Sequence, residues 1–209
     1  MIQSLIDPAF LFRFIAVLVG LVIHEFAHAV TADVLGDKTA RVAGRVTLNP
    51  LAHLDPLGLI MILFAPIGWA KPTPVNASRL RHPRSGMVMV ALAGPISNLI
   101  ISIVCLTVFS VVYPVSTGGF LAQLLWWGGI VNLFLFIFNL IPIQPLDGSR
   151  VVASLLPYRL ELKYRKLDLY GPFILLLLVI IPPLRNHILY PILNGVLALM
   201  LHIFGISGI

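Results

Sequence analysis

Long apolar runs constrain this chain more than any other feature of its sequence. Residues 9–32, 86–113, 120–141, 169–182 and 188–206 are almost free of charge, and about 20 apolar helical residues suffice to cross a hydrocarbon core. Backbone N–H and C=O groups that leave water must be paired within the segment, so helices are the expected form. The run 169–182 is short for a span, and fused to 188–206 it would be too long for a bilayer. A hairpin of two tilted or shortened spans is expected there, turning at Leu184-Arg185-Asn186-His187. Composition points the same way: 59% of the 209 residues are hydrophobic and 11% charged, where a soluble domain carries about 25% charged residues. A water-soluble globule is excluded, and so is a disordered chain, which needs the opposite balance.

The few charges orient the bundle. Of fourteen Lys and Arg, seven (Lys38, Arg41, Arg45, Lys71, Arg79, Arg81, Arg84) lie between the first two runs, and five (Arg150, Arg159, Lys163, Arg165, Lys166) between the third and fourth. Two helices separate these stretches, so both face one side, which the positive-inside rule makes cytoplasmic. The net charge of +6 therefore reads as a topology signal. A nucleic-acid partner is not expected, because no base-reading motif accompanies the basic residues.

Between the first two runs, residues 38–48 alternate small, basic and β-branched side chains around Gly44, a pattern that predicts a short strand or hairpin. Residues 57–69 are apolar but too few to span, which suits a re-entrant or interfacial segment lining something polar. The expected fold is an all-α polytopic membrane protein, a bundle of about five or six transmembrane helices with a short membrane-associated β-hairpin/re-entrant segment. Residues 1–209 are read as a single domain, with a core at about 10–155 and a C-terminal helical hairpin at about 168–207.

Inside the first run stands His24-Glu25-Phe26-Ala27-His28, an HExxH motif. Histidines four apart project from one helical face and can share a metal ion, and the intervening glutamate is placed to hydrogen-bond a water on that metal. Three ionisable groups within a membrane helix are expensive and mark function by default. A tetrahedral zinc site needs a third protein ligand and an open position. Asp7, Asp33, Asp37, Asp55, Glu161 and Asp168 fall at loops or helix ends without unusual context. Asp147 follows Asn139-Leu140-Ile141-Pro142-Ile143-Gln144-Pro145-Leu146, where two prolines unwind the end of the third helix. His24 lies about 12 Å from the end of the first helix at about 1.5 Å per residue, and an extended run through 142–147 can fold back to that depth.

Three segments resemble the site-2 proteases, intramembrane zinc metalloproteases. They are His24 to His28, then Ala93-Gly94-Pro95-Ile96-Ser97-Asn98, then Asn139 through Gly148. The resemblance covers roughly residues 10–155 and is greatest to small prokaryotic members without PDZ or CBS domains; Gln144 departs from the proline expected in many relatives. It implies one zinc ion held by His24, His28 and Asp147, with Glu25 as general base. It further implies hydrolysis of peptide bonds within or near transmembrane segments of membrane-anchored proteins. The partners are then a transmembrane protein substrate and the lipid bilayer, and the location a prokaryotic cytoplasmic membrane with the site toward the cytoplasm. Asn98 is a candidate oxyanion donor or substrate-positioning residue; the alternative is an interhelical hydrogen bond in a tightly packed helix. The pattern near Gly44 offers an edge for strand addition by an unwound substrate. His53 and Asp55 read as a polar turn capped by Asp55, with a second metal site or gate as the alternative. A helix-binding scaffold, a proton or metal transporter, and a zincin with a glutamate third ligand are the rival functions. Intact HExxH with Asp147, polar groups gathered at one point, and Glu161 in a basic loop argue against each in turn.

Overall fold

In the computed structural model of the chain, residues 8–64, 69–112 and 119–206 are described. Helices follow in the order α1 (Pro8–Val34), α2 (Thr39–Val42), α3 (Pro50–His53), α4 (Pro56–Phe64), α5 (Pro83–Val112), α6 (Phe120–Asn139), α7 (Asp147–Leu155), α8 (Tyr158–Arg165), α9 (Gly171–Ile180), α10 (Pro182–Leu184) and α11 (Tyr190–Ile203). A short 3-10 turn (Ala77–Arg79) precedes α5, and a π-helical turn (Arg185–Leu189) joins α10 to α11.

Length decides which of these can span. With 27 and 30 residues, α1 and α5 measure about 40–45 Å at about 1.5 Å per residue, and α6 has 20 residues. Among the described residues, four helices are long and apolar enough to cross a membrane: these three and the continuous helix Pro182–Ile203. Among the described residues the expected count of five or six is not confirmed. The run at 169–182 forms α9, which has only ten residues.

Two further expectations need correction. No strand forms at 38–48, and the described residues contain no strand, only an isolated bridge between Leu54 and Ala70. Asp37 Oδ1 instead accepts from both the N–H and the hydroxyl of Thr39, starting α2. That turn closes on Gly44 (φ 69°), where Arg45 N–H bonds to Ala40 O and Gly44 N–H to Arg41 O. This paired closure is how a glycine in the left-handed region ends a helix, so Gly44 marks a helix stop where a hairpin is expected, and no strand edge exists there for a substrate to join. The second correction concerns the C-terminal turn. The break falls at Ile181, which is extended (ψ 111°) before Pro182, because a residue preceding proline is driven out of the helical region; 184–187 stay helical. In the stretch 57–69, expected to be re-entrant or interfacial, the nine-residue α4 covers Pro56–Phe64, and 65–68 lie outside the described residues.

Helices α1, α5 and α6 pack against one another, and α7 packs against α5. The three spans bury polar side chains at their shared faces: His24 and His28 on α1, Asn98 and Ser102 on α5, Asn132 on α6. Lipid tails are as apolar as leucine, so such polar and small faces drive association in a bilayer. The Arg13 guanidinium sits 4.9 Å from the ring centroid of Trp127, tying the start of α1 to α6.

Candidate metal centre

The site is built by three local rules. The helical period sets His24 and His28 of α1 on one face, where their rings meet edge to face with centroids 4.6 Å apart. Pro142 and Pro145, lacking N–H groups, stop α6. The chain reverses through 140–146, whose turns are closed by Ile143 N–H to Ile141 O and Leu146 N–H to Ile143 O, and α7 begins at Asp147. The Gln144–Pro145 bond in this reversal is cis, and Tyr164 OH donates to Pro142 O, fastening α8 to the turn.

Asp147 Oδ2 then lies 2.9 Å from His24 Nε2 and 3.1 Å from His28 Nε2, and the two Nε2 atoms are 3.0 Å apart. All three residues are buried, at 4%, 4% and 7% exposure. The opposite ring nitrogens fix the tautomers. His28 Nδ1 donates to Val90 O at 2.7 Å, and His24 Nδ1 donates to Asn98 Oδ1 at 2.6 Å. Both Nε2 lone pairs therefore face the carboxylate, and three electron-pair donors at this spacing require a proton or a cation among them. A tetrahedral zinc ion with bonds of about 2.0–2.1 Å has donor separations of roughly 3.3 Å, so the set fits such an ion within a few tenths of an ångström. Room for it comes from Gly94 on α5, where a Cβ would collide with the Nε2 atoms of both histidines. Among the described residues these three form the group of His, Cys, Asp and Glu side chains that could hold a metal ion.

Four of the other acids are engaged elsewhere. Asp33 takes Nε and Nη2 of Arg41 at 2.8 and 2.6 Å and lies 3.2 Å from Lys38 Nζ. Asp55 Oδ1 accepts from Gly58 N–H and caps α4, as expected of that turn. Glu161 pairs with Arg165 at 2.9 Å, and Asp7 lies outside the described residues. Burial pushes the Asp37 carboxyl up, but hydrogen bonds from Thr39 and from the Asn76 N–H outweigh it and hold Asp37 below the usual carboxylate range. His53 is fully buried, with Nε2 on Thr47 O at 2.7 Å, and is not part of the His24, His28 and Asp147 group.

Glu25, one position round from the ligand face, is half-buried while the two histidines are closed off. Its Oε2 accepts from the backbone N–H of Thr73 at 2.7 Å. Asn98 stands behind His24. Its Oδ1 receives the His24 proton, and its Nδ2 donates to Gly20 O at 3.1 Å and Asn132 Oδ1 at 2.8 Å. Both amide hydrogens of Asn98 are thus engaged with α1 and α6, and its oxygen with His24. Asn132 and Thr73 escape a reading of the sequence alone. An amide at the middle of the apolar run of α6 is a signal for the first, and a threonine between two prolines for the second.

Comparison with known proteins adds an independent line. The profile described as "Peptidase family M50" matches residues 113–179, which include α6 and Asp147. YwhC of Bacillus subtilis, a protein carrying a zinc metalloprotease name, is 42% identical over 189 residues, 87% of this chain and 85% of the relative. Rip2 of Mycobacterium tuberculosis, also so named, is 31% identical over 92% of this chain and 72% of its own length. Zinc metalloprotease MJ0392 of Methanocaldococcus jannaschii is 31% identical over 68% of this chain and 34% of its own. No solved structure matches significantly.

Proposed function

The chain belongs to peptidase family M50, the site-2 proteases, and is a zinc metalloprotease; on that premise we propose that it hydrolyses peptide bonds within or near transmembrane segments of membrane-anchored proteins. His24, His28 and Asp147 hold one zinc ion, and Glu25 is the general base. The observation that carries this reading is the convergence of two Nε2 lone pairs and one carboxylate oxygen within 3.1 Å between helices of membrane-spanning length.

When bound there, zinc supplies Lewis-acid chemistry, acidifying water and polarising a carbonyl oxygen. Glu25 takes the proton of the attacking water and returns it to the leaving amine. Its half-buried position leaves it reachable by water, which the hydrocarbon core does not supply. Asn98 and Val90 O hold the two imidazoles in the tautomer that points Nε2 inward, the usual arrangement for a metal-binding histidine. The substrate helix unwinds locally before cleavage, since its peptide bonds are otherwise closed by their own hydrogen bonds. Twelve of the fourteen basic residues lie in the two stretches read as sharing one side of the spans, which supports a site toward the cytoplasmic face of the membrane.

The test joins zinc quantification to cleavage of a membrane-anchored reporter by the purified protein. Glu25→Gln is expected to keep its zinc and lose activity by about 10²–10⁴-fold, the usual worth of a general base. Asp147→Ala is expected to lose both. Wild-type cleavage by Glu25→Gln would overturn the role of Glu25, and cleavage that survives complete removal of metal would overturn the reaction class.

A further inference from the structure

Residues 69–76 lie against α1 at Glu25 as a strap without helix of its own and with only an isolated bridge at Ala70. Its backbone is fixed by partners on both sides of Thr73. Upstream, Lys71 N–H bonds to His53 O at 2.8 Å, and the buried Arg45 guanidinium donates to Lys71 O at 3.1 Å and Pro72 O at 3.3 Å. Downstream, Asn76 N–H bonds to Oδ2 of the fully buried Asp37 at 2.6 Å. Between these anchors Thr73 grips one residue of α1 twice. Its N–H donates to Glu25 Oε2 at 2.7 Å and its hydroxyl to Glu25 O at 3.0 Å.

The local sequence is Lys71-Pro72-Thr73-Pro74. Proline has no N–H, so Thr73 carries the only backbone donor across 72–74, and that donor meets the carboxylate. A slip of the strap by one residue either way would bring a proline opposite Glu25 and leave Oε2 without this partner. The two grips and the flanking prolines therefore set a single register. Glu25 otherwise has a flexible side chain with several rotamers, and catalytic groups must be held near their working geometry to act.

We propose that Thr73 is a positioning residue for Glu25, pinning Oε2 with its backbone N–H so that Oε1 is presented to the attacking water. This rests on the reading of Glu25 as general base. Arg45 and Asp37 serve the same end one step removed, by holding the strap.

The chain has only two glutamates, Glu25 and Glu161, which makes the contact directly observable. Full-length protein labelled with carbon-13 at the glutamate δ-carboxyl gives two carboxylate bands in the infrared, and Glu161→Gln identifies which belongs to Glu25. Thr73→Pro is expected to shift the Glu25 band and lower kcat by about 10- to 100-fold, the scale of a small misplacement of a catalytic group, with KM within about twofold and zinc content unchanged. Thr73→Ser keeps both donors and is expected to match wild type in band and rate. Thr73→Val keeps the N–H and so the band position, with a loss of no more than a few-fold. An unshifted Glu25 band or wild-type kcat in Thr73→Pro, loss of its zinc, or Thr73→Ser as impaired as Thr73→Pro would each overturn the proposal. Should Thr73→Pro fail to fold, Arg45→Ala loosens the strap without touching Glu25 and carries the same readouts, an unmoved band with unchanged kcat again overturning it. Failure of the underlying reading looks different: wild-type cleavage by Glu25→Gln removes the base itself. A Glu25 band indifferent to Thr73 in an enzyme that still needs Glu25 removes only the positioning role.

Discussion

The α1–α5–α6 unit and the C-terminal helix 182–203 are written in the same apolar alphabet and pack differently. In the most apolar window of each core helix 28% of residues are buried within the protein, against 6% along 182–203, and α11 buries none. Hydrophobicity does not separate them. Burial of polar residues does: the core helices carry His24, His28, Asn98, Ser102 and Asn132 buried, whereas α11 leaves Asn194 and His202 exposed and presents Ile192, Leu199 and Ile203 outward, half or more exposed. In a bilayer an outward leucine is already solvated, so apolar surface alone gives a helix no reason to dock. The polar contacts at the candidate metal centre are thus also contacts that join the helices around it.

The sharpest way to break that comparison is to make one substitution in both regions. A methyl at Gly94 would meet both metal-facing histidine nitrogens, while at Gly195 it meets nothing within 4 Å. Gly94→Ala is expected to displace the histidines, lowering zinc content well below one per chain and abolishing cleavage. Gly195→Ala is expected to leave both within about twofold, since surface changes away from packed features are usually small. Zinc retained at full stoichiometry in Gly94→Ala would show that the centre yields where its geometry says it cannot.

A smaller effect is expected at Asn98. Replacing it by Leu removes the acceptor for His24 Nδ1 and leaves the Asn132 amide oxygen without its donor at 2.8 Å. Partners of metal-binding histidines typically contribute about 10- to 100-fold to metal affinity, so zinc affinity measured by chelator competition should fall by that much while the helices still assemble. An unchanged affinity would place the orientation of His24 in the helix alone.

The core was the more legible of the two regions. Two histidines four apart need only the helical period to meet, and Asp147 stands out in the sequence because two prolines precede it, whereas the other acids fall at loops or helix ends without unusual context. What stayed hidden depends on contacts distant in sequence or on capping that outweighs a local pattern. The alternation at 38–48 has the look of a strand, yet Asp37 captures Thr39 and closes a helical turn on Gly44. The partners of Asn98 come from α1 and α6, distant in sequence. Thr73 reaches Glu25 across 48 positions, a pairing no periodicity announces. At the C-terminal end the apolar run conceals its own break: Arg185 and His187 suggest a turn, while Pro182 places it at Ile181.

The faintest difference between the regions is energetic and concerns leucine alone. Leu133 of α6 is 2% exposed and Leu199 of α11 is 58% exposed. In water, truncating a buried leucine destabilises through both transfer and cavity terms, about 2–5 kcal/mol in total. In lipid the transfer contribution largely cancels, because the separated helix already sits in an apolar solvent. What remains for Leu133→Ala is the void left among α6 and its neighbours, on the order of 2 kcal/mol. Leu199→Ala leaves a gap that lipid fills, and should change stability by less than about 0.5 kcal/mol. Equilibrium unfolding in mixed detergent micelles measures both. Equal effects at the two positions would mean that α11 has a packed partner after all, and that its outward face is not set by lipid.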